Sequence, residues 1–192
     1  MNKSVLLCGV GGQGTVLASK LLAAAAMAKG MQVMTAETIG MAQRGGSVFS
    51  HLRMGDDIYS PLIGKGQADI ILGFEPAEAV RMLPYLKPDG VVVVSRRAIM
   101  PVTAALSGSD YSSEPMITYL EQKVSRVITI DSDQAFADLG SGKVLNMVLL
   151  GAAIDSGVLG ISKDEIRDAI RHKVPEKFHA LNYKALDYAS QN

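Results

Sequence analysis

Ser4-Val5-Leu6-Leu7-Cys8 is followed at once by Gly9-Val10-Gly11-Gly12-Gln13-Gly14. A short apolar run halted by clustered glycines reads as a buried parallel strand and its exit turn. From Thr15 to Lys29 the chain is rich in Ala, Leu and Met, strong helix formers, and Gly30 supplies the stop. Gln32 to Ala36 gives a second short strand. The first 36 residues therefore spell a β–turn–α–β unit, with the glycines where the strand hands over to the helix.

Beyond this unit lies a polar, glycine-punctuated stretch from Glu37 to Gly46, then a strand from Ser47 to Met54. Its alternation puts Val48, Ser50, Leu52 and Met54 on one face and Phe49, His51 and Arg53 on the other. The intervening residues are too few for a crossover helix, which takes a dozen or more, so the third strand runs antiparallel to the second. Farther on, Ala68–Gly73, Gly90–Ser95 and Arg126–Asp131 read as strands, with Pro88-Asp89-Gly90 as a turn. Helical patterns cover Glu75–Leu86, Glu114–Lys123, Lys143–Asp155, Lys163–His172 and Pro175–Ala189, and Met100–Ser113 reads as a loop. Ser162 and Glu165 form a capping box. The expected fold is α/β: a Rossmann-like layered fold with a mixed, mostly parallel sheet flanked by helices, in one domain spanning residues 1–192.

Composition narrows the function. With 19 basic and 19 acidic side chains among 192 residues, the chain lacks the basic excess of a nucleic-acid binder. One cysteine excludes an intrachain disulfide framework, a cysteine-ligated zinc ribbon and a self-contained iron–sulfur cluster, which takes four thiolates. No apolar run approaches the roughly 20 residues needed to cross a bilayer. The short apolar start at Ser4–Cys8 runs into glycines and does not read as a secretion signal. The expected location is the cytoplasm, with neither nucleic acid nor membrane as partner.

Gly9-x-Gly11-x-x-Gly14 matches the dinucleotide fingerprint in its strand-to-helix context, and Glu37 stands where a ribose-binding carboxylate belongs. Glycines let the backbone approach a ligand, and a helix N-terminus presents unpaired N–H groups to an anion. The same glycines also serve close helix–strand packing, and Gln13 either projects into the space of a pyrophosphate or donates to one. A second cluster, Arg44-Gly45-Gly46-Ser47, leaves the second strand at the same carboxyl edge. It pairs a fixed positive charge with backbone amides suited to phosphate or carboxylate; the bland alternative is a hairpin with a solvated arginine. Two such loops at one edge suggest a docking face for an anionic ligand or a partner chain. Asn146, inside an apolar helical stretch, is a further site candidate. His51, His172 and His179 show no metal-ligand spacing, and Cys8 reads as a small core residue. No complete catalytic constellation and no metal site appears.

Taken together, several stretches resemble the gamma-type domain of the 2-oxoacid:ferredoxin oxidoreductases. They are Gly9–Gly14, Ala36–Ser47, Ser60-Pro61, Gly73-Phe74-Glu75-Pro76-Ala77-Glu78-Ala79 and Asn146. The wording Glu37-Thr38-Ile39-Gly40-Met41-Ala42-Gln43-Arg44-Gly45-Gly46 is most similar to the small beta subunit of the indolepyruvate branch. The resemblance implies a chemically incomplete subunit, with no cofactor bound by this chain alone. Its large alpha partner carries thiamine diphosphate, Mg and [4Fe–4S] clusters. The complex oxidatively decarboxylates an aryl 2-oxoacid to an aryl-acetyl-CoA and passes electrons to ferredoxin. Coenzyme A is the co-substrate at the subunit interface, and Gly11, Gly12, Gln13, Gly14, Glu37, Arg44, Gly45, Gly46, Ser47 and Asn146 are the residues proposed to contact it or the junction. A docking surface left bare implies a homodimer of the isolated chain. Two rivals from other classes are a free-standing NAD(P)-dependent reductase and a purely structural adaptor, with a flavin-binding module behind them.

Overall fold

A computed structural model describes residues 2–37, 46–100 and 110–190. The chain begins as read, with β1 (Lys3–Val10), α1 (Thr15–Ala28) and β2 (Gln32–Glu37). The α1 helix closes on Gly30, whose φ of +80° only glycine tolerates easily. There Gly30 N donates to Met27 O and Met31 N to Ala26 O, the paired bonds of a Schellman stop.

Then come β3 (Ser47–Gly55), β4 (Ala68–Gly73), α2 (Pro76–Met82) and β5 (Leu86–Ser95). They are followed by α3 (Glu114–Lys123), β6 (Arg126–Ile130) and α4 (Ser132–Leu139). Three helices finish the described chain: α5 (Leu145–Asp155), α6 (Lys163–Lys173) and α7 (His179–Asp187).

The six strands form one sheet in the order β2-β3-β1-β4-β5-β6. β3 is antiparallel to both β1 and β2, and the β1–β4–β5–β6 ladder is parallel, so the sheet is mixed as expected. Val5 and Leu7 of β1 enter the core shared with α1, α4, α5, α6 and α7. Leu6 and Cys8 enter the smaller core under α2 and α3. β3 divides the same way, Leu52 and Met54 joining the first core and Phe49 packing on the second.

Three features depart from the sequence reading. Helix α4 lies in a stretch for which the sequence predicts no element; Asp131 caps it by accepting from Gln134 N, and Gly140 ends it at φ +67°. The helix expected to run to Leu86 stops at Met82 and tightens into a 3₁₀ turn over Leu83–Tyr85, where Pro84 removes a backbone donor. β5 starts earlier than expected because Pro88-Asp89-Gly90 is not a free turn. Ala68 pairs with Leu86 and Ile70 with Val91, so Lys87–Gly90 bulge opposite Asp69 alone. Lys87 Nζ donates to Asp69 Oδ1 at 2.6 Å and pins the bulge. Gly90 does not take a left-handed conformation; its role is to admit Leu86, whose Cδ1 would lie 2.5 Å from a Cβ there. Of the expected Met100–Ser113 loop, residues 101–109 lie outside the described residues.

The capping box at the head of α6 forms as read, with Glu165 N donating to Ser162 Oγ and Ser162 N to Glu165 Oε2. Among the described residues no single helix is long and apolar enough to cross a membrane.

At the α5–α7 contact, a Cβ on Gly151 would overlap the carbonyl oxygen of Leu186. Backbone cannot yield as a side chain does, so Gly151→Ala should lower the unfolding free energy by about 3 kcal/mol, the upper end for overpacking. Chemical denaturation measures it.

His51 is buried, its ring edge-on to Phe49 and Tyr85, and its Nδ1 accepts from Ile63 N at 3.1 Å. That bond requires the neutral ring, and burial holds the pKa below the ordinary 6.5. On acidification the unfolded chain therefore takes up this proton first. The stabilisation is complete above 6.5 and is lost as pH falls through the folded value. Between about pH 7 and pH 5, in the range of free histidine titration, the stability of His51→Gln should fall less steeply than that of the parent. Equilibrium unfolding across that range checks it.

Candidate functional site at the carboxyl edge

The two helices that follow β1 and β4 leave the sheet on opposite sides, α1 toward the larger core and α2 toward the smaller. Neighbouring parallel strands whose helices diverge create a crevice outside their carboxyl ends, where α/β sheets place ligands. Gly11–Gly14 lies over this point.

Its geometry is held from within by Gln13. The side-chain Oε1 accepts from Val10 N at 2.7 Å, while Nε2 donates to Phe74 O at 2.8 Å. Phe74 N in turn donates to Cys8 O at 2.8 Å. One amide thus bridges the end of β1 to the end of β4, and a Cβ on Gly9 would come 2.6 Å from Gln13 Oε1 and 2.7 Å from Phe74 Cβ. Of the two roles open to Gln13 in the sequence, neither is realised: both ends of the amide are committed to the backbone beneath the loop. Gln13 N also donates to Val10 O at 3.2 Å, and the outward part of the turn is main chain. Gly12 has φ +100° with open space where a Cβ would point, and Gly14 has φ +87° at the head of α1. No side chain caps α1 and no acidic residue stands in its first turn, which suits an anion.

The second cluster meets the first directly. Gly11 N donates to Gly46 O at 2.9 Å, and Val10 pairs with Ser47 in the β1–β3 ladder. Asn146, at the head of α5 and 4% exposed, packs on Gly14, where a Cβ would lie 2.9 Å from its Nδ2. Gly11, Gly12, Gln13, Gly14, Gly46, Ser47 and Asn146 are therefore brought together. Arg44 and Gly45 lie outside the described residues. Glu37 ends β2 on the same edge, but β3 separates β2 from β1. Two strand spacings, about 9.6 Å, replace the single one of a dinucleotide fold. The ribose carboxylate of the fingerprint is thus displaced.

Below this edge lies a group that neither motif nor spacing marks as part of the site. Glu75 is 1% exposed and Glu78 7%. Glu75 caps α2, its Oε2 accepting from Glu78 N at 3.1 Å. Its Oε1 accepts from the Tyr111 hydroxyl at 2.6 Å and from Ile99 N at 3.4 Å. Glu78 Oε2 accepts from Ser47 Oγ at 2.6 Å. Burial, and then the bond to Glu75, push the Tyr111 phenol well up, so it remains a proton donor to that carboxylate. The signal was present in Glu75-Pro76, a side-chain acceptor directly before a proline at the first helical position.

Cys8 is fully buried, and its thiol is pushed well up first by desolvation and then by the Glu78 and Glu75 carboxylates. It is a packed thiol with its Sγ directed at Leu72 O, as expected, and neither a nucleophile nor a cluster ligand. His51 is likewise a packing residue. Among the described residues no group of three or more His, Cys, Asp or Glu side chains is placed to hold a metal ion. Ser60, within the Ser60-Pro61 match, lies on the amino side of the sheet, its carbonyl held by Arg53 Nη1 at 3.2 Å.

Fold and site together define an α/β domain that presents main-chain amides at a switch point and carries no catalytic constellation among its described residues. The chain belongs to the pyruvate ferredoxin/flavodoxin oxidoreductase family, whose model matches residues 4–192. It is 36% identical over 186 residues to indolepyruvate oxidoreductase subunit IorB of Pyrococcus horikoshii, covering 96% of this chain and 92% of that one. It is 36% identical over 187 residues to the subunit IorB of Archaeoglobus fulgidus, with 97% and 92% covered. Among solved structures, the gamma subunit of a keto/oxoacid ferredoxin oxidoreductase from Geobacter sulfurreducens matches with a TM-score of 0.70 at 26% identity. It covers 98% of this chain and 96% of that chain. These findings bear out the resemblance to the gamma-type domain and to its indolepyruvate branch.

Gln13→Glu tests the bridge. The variant keeps an acceptor for Val10 N but sets a carboxylate oxygen against the Phe74 carbonyl. Leaving that carbonyl unsatisfied should cost about 1–3 kcal/mol, read as a lower midpoint in urea.

Proposed function

We propose that this chain is the small subunit of a thiamine-dependent 2-oxoacid:ferredoxin oxidoreductase acting on indolepyruvate and related aryl pyruvates. The observation that carries the reading is the 36% identity to indolepyruvate oxidoreductase subunits over nearly the whole chain. The chemistry needs a large partner subunit. That partner would hold thiamine diphosphate, Mg and [4Fe–4S] clusters, which would supply decarboxylation of the keto acid, acyl transfer to coenzyme A and electron transfer to ferredoxin. This chain has a single cysteine, buried and protonated, so it does not fit the thiolate set a cluster takes.

Its own contribution is positional. The Gly12 and Gly14 amides, the uncapped head of α1 and the adjoining Gly46–Ser47 segment form an edge suited to an anionic group at the junction. Arg44 and Gly45 extend it in sequence. Coenzyme A, with its phosphates, is the anion this reading assigns there. The complex works in the cytoplasm, and the isolated chain is inactive and pairs with a second copy through the surface left bare.

Co-expression with the large subunit tests this. The complex should form aryl-acetyl-CoA from indolepyruvate with ferredoxin as acceptor, and Arg44→Ala should raise the apparent KM for coenzyme A by about tenfold, one lost charge-assisted contact, with little change in stability. Calorimetric binding of NADH, with turnover by the chain alone, would instead establish the reductase. Wild-type kinetics in Arg44→Ala would remove that residue from the site.

A further inference from the structure

We propose that Glu78 is a positioning residue, which acts through Ser47 to set the spacing of the two glycine segments at the carboxyl edge. The path is short and continuous. Glu78 Oε2 accepts from Ser47 Oγ at 2.6 Å. The peptide preceding Ser47 supplies Gly46 O, which accepts from Gly11 N at 2.9 Å. Gly11 begins the turn, in which Gln13 N is turned back to Val10 O at 3.2 Å and the Gly12 and Gly14 amides are left to serve a ligand. A carboxylate on α2 therefore locates the Gly46–Ser47 peptide, and that peptide locates the first amide of the loop.

Three observations separate this from ordinary packing. First, a buried carboxylate is costly unless its hydrogen bonds are made, and an apolar side chain would fill the volume at less cost. The other Glu78 oxygen lies 3.8 Å from Arg81 Nη1, on a largely exposed side chain, so the Ser47 hydroxyl is the close partner. Second, Glu78 is itself fixed from below. Its backbone N–H donates to Glu75 Oε2, and Glu75 is anchored on its other oxygen by Tyr111 and Ile99. The anchoring sets the position of the carboxylate before it meets Ser47. Third, Ser47 is the exposed first residue of β3, directly paired with Val10. The hydroxyl bond thus acts where the ladder begins and fraying is easiest. A short hydrogen bond to a carboxyl oxygen is among the stronger side-chain contacts, enough to hold one end of a ladder in register.

The effect on Gly11 follows from the geometry alone; the effect on coenzyme A rests on the function proposed above. The test separates the two. In the full chain, amide hydrogen exchange at Gly11 should quicken at least about tenfold in Ser47→Ala and in Glu78→Ala. It should stay near the parent in Glu78→Gln, which keeps an oxygen to accept from Ser47. Exchange in the interior of β4 reports whether each variant is folded. In complex with the large subunit, Glu78→Ala should raise the KM for coenzyme A by about tenfold while kcat changes by less than about twofold. Glu78→Gln should restore the parent value. Unchanged Gly11 exchange in both alanine variants overturns the proposal, while quickened exchange with an unchanged KM bears out the positioning role and overturns the assignment of coenzyme A to this edge. A parent complex that makes no use of coenzyme A defeats the functional reading instead, and leaves the exchange result to decide the positioning role.

Discussion

A single antiparallel strand beside β1 governs how this edge is built. The connection between β2 and β3 is too short for a crossover, so β3 must turn back on β2. By lying between β2 and β1 it does two things to the carboxyl edge. It brings the start of β3 level with the end of β1, which lets Gly46 O accept from Gly11 N. It also carries Glu37 one strand farther from the glycine turn than a dinucleotide fold would. The same insertion that fuses two glycine segments into one edge thus dismantles the ribose site that their spacing advertises.

Much of this was legible in the sequence because it rests on local chemistry. The apolar run of β1, the helix formers of α1, the Gly30 stop and the Ser162–Glu165 box each declare themselves within a few residues. The antiparallel β3 followed from connection length, and its two faces from simple alternation. Other features were hidden because they are tertiary. Gln13 could be read as reaching toward a ligand or as filling its space. Its partners, Val10 N and Phe74 O, meet it only once β1 and β4 are paired. Pro88-Asp89-Gly90 carries every mark of a turn, yet Asp69 and Lys87 draw it into the sheet as a bulge. Helix α4 is marked locally too, with Asp131 as its N-cap and Gly140 as its stop.

The electrostatics of the edge pose the last question, because two buried carboxylates lie beneath a surface suited to anions. Left bare they would repel any phosphate placed above Gly12 and Gly14. Each is instead met by donors of its own: Tyr111, Ile99 N and Glu78 N on Glu75, Ser47 on Glu78, with Arg81 beyond. Donors aimed at a charge oppose its field in other directions, and they do so without solvent reorganisation. The carboxylates can then fix the backbone while the head of α1, which carries no acidic residue of its own, sets the sign of the field outside. The Glu78 oxygen holds the Ser47 hydroxyl, and an acidic side chain is tolerable beneath an edge suited to anions because donors answer it on the side of the loop.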